Sequence, residues 1–424
     1  MGLSVVIPYF RQARCLDLTL GALAAQDPDA GRFEVLVVDD DSRDDVDALV
    51  RAYQDRLDLR LIRLPVNRGR AVARNRGMAE ATGDRIVLLD ADSLAGPGLI
   101  GRHARFHRSR PEDVLLGARI EHDWRAVHDP TRPPAPSAYH TDLRYRWGLD
   151  PGTFADHPAP WIFGYSHHMS VPSAQVRAVG GFDERFVRWG HEDVEFAYRL
   201  FLAGRRRAGH FHFDPLALCH HIPHFRETAN SWAEAGQLLT YMIDKHRTLE
   251  LELYKDGPMG VAAALPTYLE RLRALHDWDN RAARDEALAA LPARQEPGRL
   301  VMGIGLADRV PFTGHTEVLD QRPPTEAPPG LIGLRLPFPA DHFADLLHLD
   351  VWRTAAPDHL SRMVVEGLRV ARTVYLGASK GVPTADEVGL VDCPEHLCDM
   401  LRGHTDSEVV HDGDHAWLIR IRRG

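Results

Sequence analysis

Lysine is almost missing from this chain: there are three, Lys245, Lys255 and Lys380, against abundant arginine and alanine, a bias that points to a GC-rich bacterial genome. Cysteine is scarce as well. Of the four, Cys15, Cys219, Cys393 and Cys398, only the last two lie close, and their C-x4-C spacing has no second pair to complete a zinc site. Few, scattered thiols exclude a disulfide-stapled fold and lead us to expect a reduced cytoplasmic protein. No apolar run approaches the ~18 residues of a membrane span, and no signal-peptide-like stretch precedes Leu3. The net charge of −9 argues against a general nucleic-acid surface. What remains is a soluble enzyme-like chain of 424 residues, long enough for about two to three domains.

The chemistry concentrates in two segments. Arg85-Ile-Val-Leu-Leu reads as a buried strand and stops at Asp90-Ala-Asp92. An Asp-x-Asp at a strand end points both carboxylates to one side, where they can share a hard divalent cation that in turn needs phosphates. Further on, Trp189-Gly-His-Glu192-Asp193 opens a helical pattern through Leu202, with acids in the first turn, where the helix dipole favours negative charge. Singly, an Asp-x-Asp is more often a turn, and acids at a helix start are more often caps. Together, a metal carboxylate pair and a separate acid poised as general base equip a chain to displace a nucleoside diphosphate from a sugar.

The order of elements around these segments raises their weight. Leu3-Ser-Val-Val-Ile-Pro8 is a short strand, Cys15 to Gln26 a helix, and Phe33-Glu-Val-Leu-Val-Val-Asp39-Asp40 a second strand ending in acids. Leu59-Arg-Leu-Ile-Arg-Leu is a third strand, and Asn67-Arg-Gly69 leads into another helix. Strands alternating with helices predict an α/β, Rossmann-like parallel sheet whose ligands bind beyond the carboxyl ends of the strands. Pro8, Asp40 and Asp90 all fall at such ends.

At this point the sequence resembles the inverting GT-A glycosyltransferases of the family 2 type. The matching pieces are Ser4-Val-Val-Ile-Pro-Tyr, Val37-Val-Asp-Asp-Asp-Ser, Asn67-x-Gly69 with Ala73-Arg-Asn-Arg-Gly77, Leu89-Asp-Ala-Asp92, Val179-Gly-Gly-Phe-Asp-Glu-Arg-Phe and Glu192-Asp193, in the expected order over residues 3–226. The resemblance implies a UDP-sugar donor, with Asp40 accepting from the uracil N3–H and Pro8 against the base. It implies Asp90 and Asp92 at the ribose and at a diphosphate-bound Mn²⁺ or Mg²⁺, with Asp92 the direct ligand. It implies Asp193 as the base that deprotonates the acceptor, with Glu192 shaping the pocket. The donor set it implies further includes Tyr9, Asn67, Gly69, Arg74, Asn75, Ala91 and Gly181, the last in a glycine pair that otherwise reads as a turn.

Two departures stand out. Phe10 replaces an asparagine common in that family. The Arg188-Trp-Gly-His-Glu-Asp stretch looks more like the Trp-Gly-Gly-Glu-Asp segment of animal galactosyl- and N-acetylgalactosaminyltransferases, which place a metal-binding histidine at the end of a Cys-x4-His segment. Cys219-His-His-Ile-Pro-His224 has that spacing, so the resemblance makes His224 a third ligand, with His220 and His221 as fallbacks. Histidines near a loop are otherwise mostly solvated, but imidazole is an acceptable Mn²⁺ ligand beside carboxylates.

A proline- and histidine-rich insert, running from Asp129 through Pro160, predicts a long loop of the kind that serves as a lid. Tyr139, Tyr145, Trp147, Trp161 and Phe163 in and after it can stack on a sugar or anchor the loop. Trp161, just before a predicted strand from Phe163 to Ser170, is the leading sugar contact. The domain plan expected is a GT-A catalytic domain over 1–226, a helical extension over 227–297 that packs on it or makes an oligomer contact, and a smaller α/β domain over 298–424. The last resembles a truncated Rossmann-type methyltransferase, since only Gly303-Ile-Gly305 stands where a glycine-rich loop belongs. The function expected is metal-dependent, inverting transfer of a hexose or N-acetylhexosamine from a UDP-sugar to a glycan, natural product or peptide. The rival is a non-catalytic nucleotide- or partner-binding protein.

Overall fold

The structure is a computed structural model, and it describes residues 2–424 apart from 122–141, 188–189, 205, 207–208, 225–230, 279–280, 294–296, 307–315, 322–327 and 383–392. Two compact units divide the chain, Met1–Leu239 and Thr240–Gly424.

The first unit is built on eight strands: β1 Leu3–Tyr9, β2 Phe33–Asp39, β3 Asp58–Arg63, β4 Arg85–Leu89, β5 Ser93–Ala95, β6 Val114–Glu121, β7 His168–Pro172 and β8 Phe211–His221. They lie in the order β3-β2-β1-β4-β7-β6-β8-β5. β3, β2, β1 and β4 are parallel. β-Branched residues fill the central strands because both sheet faces are covered, and Val5, Val6, Ile7, Val35, Val37 and Val87 have no exposure. β7 then runs antiparallel between β4 and β6, which reverses the strand direction at the middle of the sheet.

The far edge decides the site. β8 pairs with β6 in parallel, setting Glu121 opposite His221, and with the three-residue β5 in antiparallel, setting Ser93 opposite His221. The chain leaving Asp92 is thereby hydrogen-bonded to the chain leaving His221, Ile222 N–H donating to Asp92 O at 2.8 Å.

Local expectations held where the apolar period was long. The helices run Ala13–Leu23, Arg70–Glu80 and Glu192–Ala203. The stretch from Phe163 departs from expectation: Pro160–Phe163 is a 3₁₀ turn, and the strand begins only at His168. Of the proline-rich insert, residues 129–137 lie outside the described residues, and Pro151–Ala155 forms a short helix capped by Asp150, which accepts from Gly152 N–H and Thr153 N–H.

The expected helical extension opens with two helices, Ser231–His246 and Leu249–Tyr254, separated where Arg247 takes a positive φ of 54°. In the second unit, the helix Gly257–His276 carries Pro266 inside it. Six strands follow: β9 Arg299–Ile304, β10 Thr316–Gln321, β11 Phe343–Leu349, β12 Ala371–Ser379, β13 Thr405–Asp412 and β14 Ala416–Arg423. Their order is β10-β9-β11-β12-β14-β13, the first four parallel and β14 antiparallel to both neighbours.

Ligands of parallel sheets bind beyond such strand ends, but here the unit's own side chains occupy them. Arg284 Nη1 donates to Ile304 O at 2.6 Å, and Leu306 N–H donates to Asp320 Oδ1 at 3.0 Å. The buried Asp350 accepts from Ser379 N–H at 2.8 Å and from Arg353 Nη1 at 3.2 Å.

Candidate functional site

Asp40 follows β2 and is buried. Its two carboxylate oxygens accept from Arg68 N–H and Gly69 N–H, both at 2.8 Å, and its carbonyl accepts from Asn67 Nδ2 at 3.1 Å. Asn67-Arg-Gly69 is thus wrapped around Asp40, and the carboxylate keeps lone pairs for a further donor. Gly69 caps the helix Arg70–Glu80 with φ of 90°, and a Cβ there would stand 2.7 Å from Val187 O, so both conformation and space demand glycine. Pro8 lies beside Val38 at the end of β1. Tyr9 is buried, its hydroxyl donating to Asp44.

One buried guanidinium joins the two acidic segments. Arg74 Nη2 donates to Asp90 Oδ1 at 2.8 Å and Nη1 to Glu192 Oε1 at 3.2 Å. Glu192 also accepts from Gly190 N–H at 3.3 Å. Asp193 accepts from its neighbour's amide, Val194 N–H, at 2.8 Å. Burial first, and the Glu192 carboxylate second, push the Asp193 carboxyl up to about 7, with Arg74 opposing them. Two adjacent acids at one helix start therefore differ in kind: Glu192 is locked to arginine, while Asp193 sits near neutrality.

Asn75, expected at the donor, latches a loop. Its Nδ2 donates to Phe182 O at 2.9 Å and its Oδ1 accepts from Phe182 N–H at 2.7 Å. Gly181 has φ of 70°, and a Cβ on it would meet Asn75 Oδ1 at 2.5 Å.

Asp92, His221 and His224 each offer a ligand atom, and those atoms lie within 4.8 Å of one another. Asp92 Oδ2 is 2.8 Å from His224 Nε2 and 3.4 Å from His221 Nε2. Burial would raise the Asp92 carboxyl, but the two imidazoles hold it well below the ordinary carboxylate range. One carboxylate and two imidazoles form a donor set suited to Mn²⁺. Asp90, expected to share the metal, instead turns to Arg74, and His220 is outside the cluster. Ala91 between the aspartates is buried, and its carbonyl accepts from Thr19 Oγ1 at 2.9 Å.

Trp161, expected at the sugar, has no exposure and packs edge-on against Tyr198 at 4.7 Å between ring centroids. Trp147 stands against Phe163 at 5.3 Å, an anchoring contact. Tyr139, Arg188 and Trp189 lie outside the described residues.

Sequence reading passed over Glu121 and Gln12. Glu121 Oε2 is 2.6 Å from His221 Nδ1 and its Oε1 accepts from Arg119 Nη2 at 2.6 Å, while Gln12 Nε2 is 3.2 Å from His224 Nδ1. The signal for Glu121 was its place at the end of an apolar strand, Val114-Leu-Leu-Gly-Ala-Arg-Ile-Glu121. Nothing local marks Gln12.

Both family models that match fall within the first unit. The family model described as Glycosyl transferase family 2 matches residues 4–164, and that described as N-terminal domain of galactosyltransferase matches residues 156–224. The Validoxylamine A glucosyltransferase of Streptomyces hygroscopicus subsp. jinggangensis (strain 5008) is 30% identical over 341 residues, covering 74% of this chain and 74% of that protein. The Uncharacterized glycosyltransferase YfnE of Bacillus subtilis (strain 168) is 26% identical over 303 residues, 61% of this chain and 74% of that one. Among solved structures, S. aureus TarS 1-349 in complex with UDP-GlcNAc matches with a TM-score of 0.43 and 20% identity, over 57% of this chain and 65% of that one.

Proposed function

Given that this chain belongs to glycosyltransferase family 2, enzymes of mixed α/β GT-A fold, we propose that it moves a hexosyl or N-acetylhexosaminyl group from a UDP-sugar to an acceptor hydroxyl or similar nucleophile, inverting the anomeric carbon in one displacement. The observation that carries this reading is the buried Arg74, which ties Asp90 on the donor side to Glu192 on the acceptor side and leaves Asp193 beside them as a carboxyl near neutrality. A general base works best with a pKa near the operating pH.

In this mechanism Asp40 and the Asn67-Arg-Gly69 turn receive the base, with Pro8 against its face. Asp90 faces the ribose, oriented by Arg74. Asp92, His224 and His221 would hold a Mn²⁺ or Mg²⁺, and their donor types and spacing fit one. A bound cation supplies charge neutralisation for the departing diphosphate. Asp193 takes the acceptor proton, and Glu192 fixes the helix start through Arg74. The Streptomyces relative is a glucosyltransferase by name, so a glucosyl donor and validoxylamine A head the screen.

The test is UDP release from UDP-glucose, UDP-galactose and UDP-N-acetylglucosamine, with and without Mn²⁺, and transfer products read by mass spectrometry and NMR of the anomeric proton. Asp193→Asn should lower turnover by about 10²–10⁴-fold with donor binding little changed. An Asp193→Asn enzyme within about threefold of wild type, or retention at the anomeric carbon, would overturn the reading.

A further inference from the structure

Glu121 ends β6 and His221 ends β8, and the parallel register sets them directly opposite each other, so their side chains share a face of the sheet. On that face His221 Nδ1 lies 2.6 Å from Glu121 Oε2. A carboxylate accepts, so Nδ1 carries the hydrogen and His221 presents Nε2 to Asp92 Oδ2, 3.4 Å away. A cation bound between them takes the place of the proton that Nε2 otherwise carries toward that carboxylate. Glu121 is itself held: Arg119 Nη2 donates to its second oxygen at 2.6 Å, and Arg119 N–H donates to Asp142 Oδ2 at 2.8 Å. Asp142 in turn takes Arg144 Nη1 at 3.2 Å, and Arg144 is fully buried and donates to Gly117 O at 3.0 Å. The chain of polar contacts runs from the cation ligands into the core of the sheet without a break.

We propose that Glu121 is a positioning residue of the cation site: it fixes the tautomer and ring orientation of His221, and Arg119 fixes Glu121. The inference rests on the cation reading of Asp92, His221 and His224 made above. Metal-binding histidines commonly give their second N–H to a carboxylate, and loss of that partner typically weakens metal binding 10–100-fold. Glu121 touches neither donor nor acceptor in this account, so its effect reaches the reaction only through the cation.

The experiment titrates Mn²⁺ into the full chain, with and without UDP, and follows free Mn²⁺ by electron paramagnetic resonance. Wild type should bind one Mn²⁺. Glu121→Ala should bind it about 10–100-fold more weakly, and Glu121→Gln, which keeps an acceptor and loses the charge, should fall between them. Thermal melting in EDTA should be unchanged for Glu121→Gln, which separates positioning from folding. Arg119→Met, which leaves the Glu121–His221 contact in place, should weaken Mn²⁺ by less than Glu121→Ala does. Variants within about threefold of a binding wild type would overturn the role of Glu121 and leave the cation reading standing. A wild type that binds no Mn²⁺ even with UDP would overturn both.

Discussion

At Asp193 one carboxyl group ties activity to pH. Burial and the Glu192 charge lift it from 3.8 to about 7, so the carboxylate that accepts a proton is the minority form below neutrality. We expect kcat/KM to rise with pH through about 7 and then level, and the Asp193→Asn enzyme to lose that limb along with most of its rate. A wild-type profile flat from pH 5.5 to 8.5 would contradict the assignment. The same shift has a stability sign. A carboxyl whose folded pKa exceeds its unfolded value binds the extra proton in the folded state, so this group contributes stability at low pH and loses it as pH rises from about 4 to about 7, by ~1.4 kcal/mol per pH unit. Glu192, one residue earlier, has Arg74 as a partner; environment, not residue type, separates the two acids. That the pair was worth attention was legible in the sequence. Which of them is bound to arginine was not, because the guanidinium arrives from a helix 118 positions away in the chain.

Between β7 and the helix Leu99–Ser109 lies a second polar construction with no role in the reaction described. His168 Nδ1 is 3.2 Å from Ala118 O, His168 Nε2 is 2.9 Å from His103 Nε2, His103 Nδ1 is 2.7 Å from Ser170 Oγ, and Ser170 Oγ is 2.7 Å from His107 Nε2. Because the Ala118 carbonyl only accepts, every hydrogen along the chain has one assignment: His168 Nδ1–H, then His103 Nε2–H, then the Ser170 hydroxyl, then His107 Nε2–H. An added proton on His168 or His103 opposes two donors.

Burial foremost, then the His168 and His107 imidazoles and Arg102, holds His103 well below its usual range; burial, then Arg144, holds His168 at about 4, and burial, then Arg85, brings His107 to about 4. Unfolded histidines gain protons near pH 6.5 while these stay neutral. Their contribution is therefore complete above about 6.5 and is lost as pH falls towards 4, at up to roughly 4 kcal/mol per pH unit for three groups. We expect the melting temperature of the first unit to drop steeply below pH 6, and Ser170→Ala, which breaks the middle of the chain, to lower it at pH 7.5 too. A melting temperature level from pH 7 to 5 would refute this. His103 and His107 lie one turn apart on a helix and His168 and Ser170 on a strand, and it is the packing of that helix against β7 that brings them together. Trp161 was hidden for a different reason: the stretch from Phe163 suggested a strand, but Pro160 opens a 3₁₀ turn and the indole packs on Tyr198.

On the scale of the whole chain, the site residues described here all belong to the first unit, Met1–Leu239. The strand ends of the second unit are filled by Arg284, Asp350 and Arg353, so we expect it to bind acceptor or partner and to take no part in donor cleavage. A chain ending after Arg247, where the backbone turns to positive φ, should keep slow UDP release from the donor while transfer to the true acceptor falls, since remote binding energy positions the acceptor. Tight stoichiometric binding of S-adenosylmethionine by the full chain would contradict this account. Among the described residues no helix is long and apolar enough to cross a membrane. The alternation of strands and helices in the first unit was readable from period alone. The antiparallel insertion of β7 and the three-residue β5 was not, since strands so short carry no period.

β5 has consequences in time as well as in space. Asp92 is synthesised well over a hundred residues before His221 and His224, and the edge that joins them exists only once β8 has seated against both β5 and β6. Closing so long a loop is among the slow, costly steps of assembling such a sheet. A cation held by those three side chains therefore cannot nucleate the fold; it acts as a latch thrown last. Interactions absent from the folding transition state show themselves in the rate of leaving the native state. Mn²⁺ should lengthen the unfolding half-life in denaturant and leave the refolding rate of the chain where it was, and a metal that sped refolding would place β8 early.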